Sequence, residues 1–340
     1  MWLCFELQFI IDVASYNLRN LYVNSNKIMT LQKEYILALK TLRGVGTKTL
    51  LRIGNYVKEN HIDVSSSKNL VYALETLKIK VQKEPVSAEM LEQAVQKARY
   101  TIDKNARAGI GITTFYDDDF PSILRQCINE EGKQDPPMIL YYKGDLNVIK
   151  MPGLAVIGTR EVTEFGARAG ILLSQEFAKR GFCIISGLAL GCDTIGHEGA
   201  LAVGGKAIAF LAQGLDSVYP PENEDLAQQI INKGGLLLSE YSLGTSANRY
   251  NLVARDRLQA GMSLATLVIQ TGENGGAMHA ANTTLRAQKP LFVIKFKNQK
   301  QNEHEKSLGN ALLVNKGAKY IAGDDDIENI TRYIMEYQKA

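Results

Sequence analysis

The sequence predicts an α/β protein with a doubly wound, mostly parallel sheet, preceded by a small all-α domain. Two observations support this prediction. From Leu154 onward, short runs that are apolar throughout alternate with segments of helical periodicity, as happens when helices cover both faces of a parallel sheet. From Leu31 to about Tyr100, by contrast, the pattern is helical throughout.

The composition is that of a globular protein without bound metal. The chain has 340 residues, 45% hydrophobic and 22% charged, which suffices to form a core without disulfides. Its net charge of +3 does not by itself indicate nucleic-acid binding, so any basic surface must be local. The four cysteines form no CxxC pair and the four histidines are scattered. We therefore expect no metal and no cofactor, reduced thiols, and a cytoplasmic location.

The N-terminal segment leaves two interpretations open. Residues 1–28 are either a genuine extension or the result of an upstream start assignment, because Met29 opens a more conventional start. Glu6 and Asp12 interrupt the apolar run, which is too short and too charged to span a bilayer, so no membrane association is expected. The predicted domains are the extension 1–28, a small helical domain 29–105, and the α/β domain 106–340.

The helical domain contains a glycine-rich turn, LRGVGTK at 42–48. Two glycines around one apolar residue make a tight interhelical turn, and the following helix presents backbone N–H groups to which a phosphate oxygen binds. Between Lys33 and Lys58, six basic residues accompany a single acidic one. The turn resembles the hairpin of helix-hairpin-helix modules and predicts a weak DNA contact at Gly44, Gly46 and Lys48. Simple packing of two helices explains it equally well.

The α/β domain begins after an entry segment, 111–146, which we expect to add one or two outer strands. The opening βαβ unit comprises the strand Leu154–Ile157, a helix from Glu164 to Arg180 and the strand Phe182–Ile185. Further helices are predicted at 191–203, 223–233, 252–260 and 278–287, and further strands at 206–212, 236–240, 266–270 and 291–296. A helix, a short strand near Tyr320 and a final helix at 325–337 complete the chain.

Small or polar residues follow each predicted strand, among them Gly158, Thr159 and Arg160 after the first and Ser186 and Gly187 after the second. The carboxyl ends of parallel strands meet at one edge of a sheet, so these residues form one groove, in which glycines and helix N-termini accept anions. The basic residues expected near this groove are Arg160, Lys206, Arg249, Arg255 and Arg257. The GxGxxG fingerprint and the Walker lysine are both absent. Asp193 and Glu240 are either an acid–base pair or a helix cap and a buried orienting partner.

Five motifs together resemble the DprA/Smf family of DNA-processing proteins over about 113–330. They are GTR at 158–160, SGLALGCD at 186–193, QGLDSVYPPEN at 213–223, LLSEYSLGT at 237–245 and ARDRLQAGMS at 254–263. The resemblance implies a Rossmann-like, non-catalytic domain that binds single-stranded DNA, forms a homodimer and loads the RecA recombinase in natural transformation. It also implies a role for specific residues: Gly158, Thr159 and Arg160 as the phosphate turn with Ser186 and Gly187 beside it, Lys206, Arg255 and Arg257 as positive charges, and Gly275 and Gly276 as a late glycine turn.

The sequence departs from the family pattern in three places, so the resemblance is to a divergent member. Asp256 stands where the family has the amide of an Arg-Asn-Arg motif, and its carboxylate is expected to pair with one of the flanking arginines and weaken phosphate binding. The late glycine motif loses two hydroxyls, and no winged-helix domain is expected after the sheet. Two other functions remain open: a nucleotide-cleaving enzyme of the phosphoribohydrolase kind, and a nucleotide-sensing defence or signalling module.

Overall fold

The computed structural model describes residues 30–322 and 324–337, so the predicted extension 1–28 lies outside the described residues. These residues form two compact units, which are described separately below. The first comprises 30–104 with Tyr116–Asp118, and the second comprises Asn105–Phe115 with the residues from Asp119 onward. None of the described helices is long and apolar enough to cross a membrane.

The first unit is mainly helical, as predicted. An amphipathic helix at its centre buries Leu50, Ile53 and Val57, whose spacing places them on one face. A two-stranded antiparallel hairpin interrupts the helices, where the sequence analysis predicted a helical pattern throughout. The elements are α1 (Lys33–Thr41), α2 (Thr47–Glu59), α3 (Ser67–Thr76), β1 (Lys80–Val81), β2 (Glu84–Pro85) and α4 (Ala88–Arg107).

The second unit alternates strands and helices. Its strands are β3 (Gly111–Thr114), β4 (Ile139–Gly144), β5 (Gly153–Ile157), β6 (Cys183–Ser186), β7 (Ala207–Leu211), β8 (Leu236–Ser239), β9 (Ala265–Val268), β10 (Leu291–Ile294) and β11 (Lys319–Ile321). Its helices are α5 (Glu164–Lys179), α6 (Cys192–Ala202), α7 (Glu224–Asn232), α8 (Arg249–Met262), α9 (Ala277–Arg286), α10 (Gln299–Asn302), α11 (Leu308–Asn315) and α12 (Asp324–Tyr337).

Within the described residues these strands form a nine-stranded sheet in the order β11-β10-β9-β5-β6-β7-β8-β4-β3. Neighbours from β11 to β8 pair in parallel, whereas β4 is antiparallel to both β8 and β3. The entry segment thus supplies two outer strands. The predicted doubly wound, mostly parallel α/β fold is confirmed.

The opening βαβ unit shows why these residues form a two-sided sheet. Leu154 and Val156 of β5 pack in one core cluster with Phe177 of α5, whereas the last β5 residue, Ile157, packs in a second cluster. The Phe177 and Phe182 rings meet edge to face with centroids 5.7 Å apart. Burying a phenylalanine contributes about 1.5–3 kcal/mol, and such a ring pair adds about 0.5–1.5 kcal/mol. This contact fixes α5 against the following strand.

The strand order reverses at β5. The chain runs from β5 through β6 and β7 to β8 in one direction, and then returns to the other side of β5 with β9. The carboxyl ends of β5 and β9 therefore lie side by side, and the connections that follow them diverge over opposite faces of the sheet. Such a switch point opens a crevice in which α/β proteins bind ligands.

Candidate functional site

The turn after β5 is held by three hydrogen bonds. The Thr159 amide donates to the Gln270 carbonyl (2.7 Å), and the Cys192 amide donates to the Thr159 carbonyl (3.1 Å). The Glu161 amide donates to the Thr159 hydroxyl oxygen (3.2 Å). A Cβ on Gly158 would lie only 2.6 Å from the Gln270 carbonyl oxygen, so the close approach of the two strand ends requires glycine. The turn predicted to bind phosphate is therefore closely packed.

Arg160 lies at the end of this turn with its side chain exposed. Its guanidinium makes no hydrogen bond or ion pair with any residue that the structure describes. All its N–H donors are therefore available to a ligand, and a guanidinium matches the geometry of phosphate oxygens with two parallel hydrogen bonds.

The late glycine turn follows β9 and leads into α9, whose first residue is Ala277. A Cβ on Gly275 would collide with the Thr271 hydroxyl, so this position has no room for a side chain. A Cβ on Gly276 would meet nothing within 4 Å. The unpaired N–H groups at the start of a helix attract anions, and α9 begins beside the β5 turn.

These turns surround a pocket of about 740 Å³ at the switch point. Connections that follow six successive strands, from β5 to β10, contribute to its wall. Both predicted glycine turns line it, as do basic side chains from three separate connections. The lining residues are 157–161, Ala189, Asp193, Tyr219, 247–249, Leu252, Val253, Arg255, Asp256, Gln259, 274–277, His279, Ala280 and Lys306.

Ser186 and Gly187 lie beneath the pocket, not in its wall. Both are buried; the Ser186 hydroxyl donates to the Val156 carbonyl (2.6 Å). The amides of Gly187 and Ala189 donate to the Asp193 carboxylate at 3.1 and 3.2 Å. Burial raises the pKa of this carboxyl, and the neighbouring Arg255 opposes the shift. Asp193 therefore orders the turn after β6.

Arg255 lines the pocket, but three of the roughly five N–H donors of a guanidinium are already used. Nη1 donates to the carbonyls of Gly187 (2.5 Å) and Phe210 (2.7 Å), and Nε donates to Asp256 (3.2 Å). The residue is only 4% exposed. Arg255 thus ties the connections after β6 and β7 together, and only part of its charge reaches the pocket.

Arg257 is fully engaged in ion pairs. Its guanidinium donates to both carboxylate oxygens of Glu240 (2.7 and 2.9 Å). Its Nε also lies 2.8 Å from the Asp135 carboxylate. Arg257 is absent from the pocket wall, contrary to its predicted place in the groove. Glu240 is therefore a partly buried orienting partner for Arg257.

Lys206 lies at the opposite edge of the sheet, so its predicted place in the groove is wrong. The residue comes immediately before the first residue of β7, whereas the pocket lies beyond the last residues of the strands. Its ammonium group donates to the Lys233 carbonyl (2.6 Å). A residue directly before a parallel strand must lie at the amino edge.

Two basic residues complete the pocket. Arg249, the first residue of α8, is exposed and makes no side-chain hydrogen bond or ion pair within the described part of the chain. Lys306 reaches the pocket from the polar segment after β10 and forms an ion pair with Glu161 (2.5 Å). Nothing in the local sequence of that segment distinguishes Lys306. The residue lies at the pocket because the strand order places the end of β10 beside the end of β9, next to β5.

Asp256 pairs with Arg255, not with Arg257. Its carboxylate accepts hydrogen bonds from Arg255 Nε (3.2 Å) and from the Gln259 amide (3.1 Å). Burial raises the pKa of this carboxyl to about 6, although Arg255 acts in the opposite direction. His279 of α9 belongs to the same wall, and its Nδ1 contacts the Glu130 carboxylate.

The glycine turn of the first unit has the predicted tight form. Gly44 has a φ of +92°, which favours glycine, while Val45 is buried between the helices. Gly46 precedes α2 with an ordinary φ of −99°. Gly44, Gly46 and Lys48 are exposed, and a DNA contact there remains a prediction. In neither unit do the described residues contain a cluster of side chains able to hold a metal ion.

The chain resembles proteins of known families over most of its length. Residues 111–332, more than half of the chain, match the family model of DNA recombination-mediator protein A. Protein Smf from Synechocystis is 36% identical over 215 residues, which are 62% of this chain and 51% of that protein. DNA processing protein DprA from Streptococcus pneumoniae is 35% identical over 179 residues, 52% of this chain and 63% of that protein. The matches thus span about half to two thirds of these relatives.

Two solved structures share the fold. The crystal structure of DprA from Streptococcus pneumoniae has a TM-score of 0.70 at 24% identity and covers 88% of this chain and 98% of that chain. A structure of DNA processing protein A from Helicobacter pylori, which concerns its binding of single-stranded DNA, has a TM-score of 0.55 at 30% identity and covers 67% and 96%. The family model covers β3 through most of α12, including every part of the pocket wall. This chain therefore belongs to the DprA/Smf family, the family of DNA recombination-mediator protein A.

Proposed function

We propose that this chain binds single-stranded DNA by holding backbone phosphates in the pocket at the β5–β9 switch point. The observation that carries the proposal is Arg160, an exposed guanidinium with no partner among the described residues, placed at the end of a glycine turn in the pocket wall. Phosphate binding needs such a cation together with room for close backbone approach.

Other features of the pocket fit a phosphodiester chain. Arg249 and Lys306 add positive charge from two other connections, and the start of α9 adds backbone donors. Three cations spread along one wall suit a ligand with several phosphates. The Helicobacter pylori relative supports the same ligand class, since its structure concerns the binding of single-stranded DNA.

We further propose a more specific cellular role, which rests on the family alone. In it the chain acts in the cytoplasm as a homodimer, protects incoming single strands during natural transformation and loads a RecA recombinase on them. Sedimentation of the purified protein tests the dimer, and RecA filament formation on strands coated with single-strand binding protein tests the loading. The proposal assigns no chemical step to the pocket.

The central experiment titrates the protein with labelled oligo-dT and measures fluorescence anisotropy between about 50 and 200 mM salt. Each neutralised phosphate contributes about 0.7 to the slope of log affinity against log salt for a single strand. Arg160→Ala should therefore weaken binding and reduce the slope by about 0.7. Lys206→Ala removes the same charge at the opposite edge of the sheet and should leave both quantities unchanged.

Three outcomes would contradict the proposal: affinity that does not depend on salt, equal losses for Arg160→Ala and Lys206→Ala, or preference for a duplex of the same length. A matched melting temperature of the two variants ensures that the comparison concerns binding.

A second candidate function is the binding or cleavage of a mononucleotide. A pocket of about 740 Å³ is within the usual size for small ligands, and the pKa of two carboxyls in its wall, Asp193 and Asp256, is raised. Both carboxylates, however, already accept hydrogen bonds from the protein. If a nucleoside monophosphate displaces oligo-dT at far lower concentration than the oligonucleotide itself requires, or if free base accumulates, this second function replaces the first.

A further inference from the structure

The pocket wall contains one tyrosine ring that the phosphate contacts do not use. Tyr219, in the connection after β7, is the only phenylalanine, tyrosine or tryptophan among the lining residues, and it is 46% exposed. Its hydroxyl makes no hydrogen bond with any residue in the described part of the chain. A tyrosine with a half-exposed ring and an unpaired hydroxyl leaves an aromatic surface available to a ligand.

Each nucleotide of a single-stranded polynucleotide carries an anionic phosphate and a flat base. The pocket provides a matching pair, the free guanidinium of Arg160 and the half-exposed ring of Tyr219. We propose that Tyr219 is a stacking platform for a base of the strand whose phosphate is held by Arg160. This inference rests on the proposed function and assigns the base-binding part of the same site.

Tyr219 is distinguished from the other exposed tyrosine nearby by its position on the wall. Tyr250 is 86% exposed and follows Arg249 directly in α8. The residues of α8 that line the pocket centre on the face of Leu252 and Asp256, and Tyr250 does not belong to that set. At 100° per residue, Tyr250 lies well away from this face. It is therefore a matched control for an exposed tyrosine outside the site.

Stacking on Tyr219 predicts a particular selectivity. Every base has a flat face, so the platform tolerates any sequence. Bases in a duplex already stack on each other and cannot offer that face, so the platform favours single strands. The hydroxyl has no role in stacking, so phenylalanine should replace tyrosine here without loss.

The experiment compares oligo-dT with an abasic oligonucleotide that has the same length and the same number of phosphates, at one salt concentration. The wild-type chain should bind the abasic strand about 5- to 150-fold more weakly. Tyr219→Ala should lose this difference while it binds the abasic strand as the wild type does. Tyr219→Phe and Tyr250→Ala should both keep the difference.

Equal wild-type affinity for the two strands overturns the stacking role while the phosphate site stands. The stacking role is also overturned if Tyr219→Ala keeps the preference for oligo-dT over the abasic strand. An equal loss of affinity for both strands in that variant overturns it too, because the ring then supports the pocket and does not bind a base. If the wild type binds neither strand, the proposed function itself is wrong, and the stacking role with it.

Discussion

At the residue scale, Arg160, Arg255 and Arg257 differ in what their guanidinium groups contact. Arg257 has two carboxylate partners and Arg255 has two carbonyls and one carboxylate, whereas Arg160 has no partner among the described residues. Removing one member of a buried ion pair leaves an uncompensated charge and costs about 3–5 kcal/mol. Substitution of Arg257 therefore destabilises the fold, whereas Arg160 and Arg249, which have no side-chain partner among the described residues, test phosphate binding without breaking a contact.

Glu161 competes with a phosphate for Lys306. Their ion pair lies in the pocket wall next to Arg160, so a bound strand must share Lys306 with a carboxylate. Glu161→Gln should raise the affinity for oligo-dT by about two- to fivefold at low salt, because it releases Lys306 from an exposed ion pair whose attraction is weak and screened by salt. Glu164→Gln makes the same charge change on α5 outside the pocket wall and should have no such effect. If both variants gain equally in an anisotropy titration, the gain reflects net charge alone.

Asp256 makes stability depend on pH in a definite direction. Burial raises the pKa of its carboxyl from 3.8 to about 6, so the folded chain holds this proton more tightly than the unfolded chain. The stabilisation is fully present below pH 3.8 and is lost as pH rises to about 6, by an amount on the order of 2–3 kcal/mol. Denaturant unfolding at a series of pH values should show a smaller fall for Asp256→Asn than for the wild type. Parallel curves for the two proteins would refute the assignment.

At the element scale, the pocket depends on how closely β5 and β9 approach each other. Their paired strands end together, and the Thr159 amide donates to the carbonyl of Gln270 just beyond β9. Gly158 of the first turn and Gly276 of the second have different roles. Gly158 is needed because the neighbouring backbone leaves no space, whereas Gly276 has open space and an ordinary helical φ of −58°.

This difference gives a test with a built-in control. Gly158→Ala places a methyl group against the Gln270 carbonyl and the Cys192 side chain, and should lower the free energy of unfolding by about 1–3 kcal/mol. Gly276→Ala should leave it unchanged or raise it by up to about 1 kcal/mol, because alanine reduces the entropy of the unfolded chain. Both values come from denaturant unfolding. Equal losses would show that position 276 also lacks space for a side chain.

At the scale of the whole molecule, every residue that lines the pocket belongs to the second compact unit. That unit has its own core clusters on both faces of the sheet. The glycine turn of the first unit is a separate candidate DNA contact, and none of its residues lines the pocket.

We therefore expect a fragment comprising the predicted domain 106–340 to unfold cooperatively and to keep the salt slope of the full chain for oligo-dT. Lys48→Ala in the full chain should lower affinity only if the helical unit also contacts the strand. Loss of binding in a fragment that still unfolds cooperatively would transfer the main DNA contact to the helical unit.

The sequence by itself determined most of the elements and the family. The helix after β5 was predicted at 164–180 and found at Glu164–Lys179, because helical and strand periodicity are local properties of the chain. The motifs at 158–160 and 186–193 are also local, and they indicated the DprA/Smf family. Only the tertiary structure decided which residues meet. It placed Lys306 beside Glu161 and paired Arg257 with Glu240 and Asp135. These outcomes depend on strand order and on partners distant in sequence, which no local pattern contains.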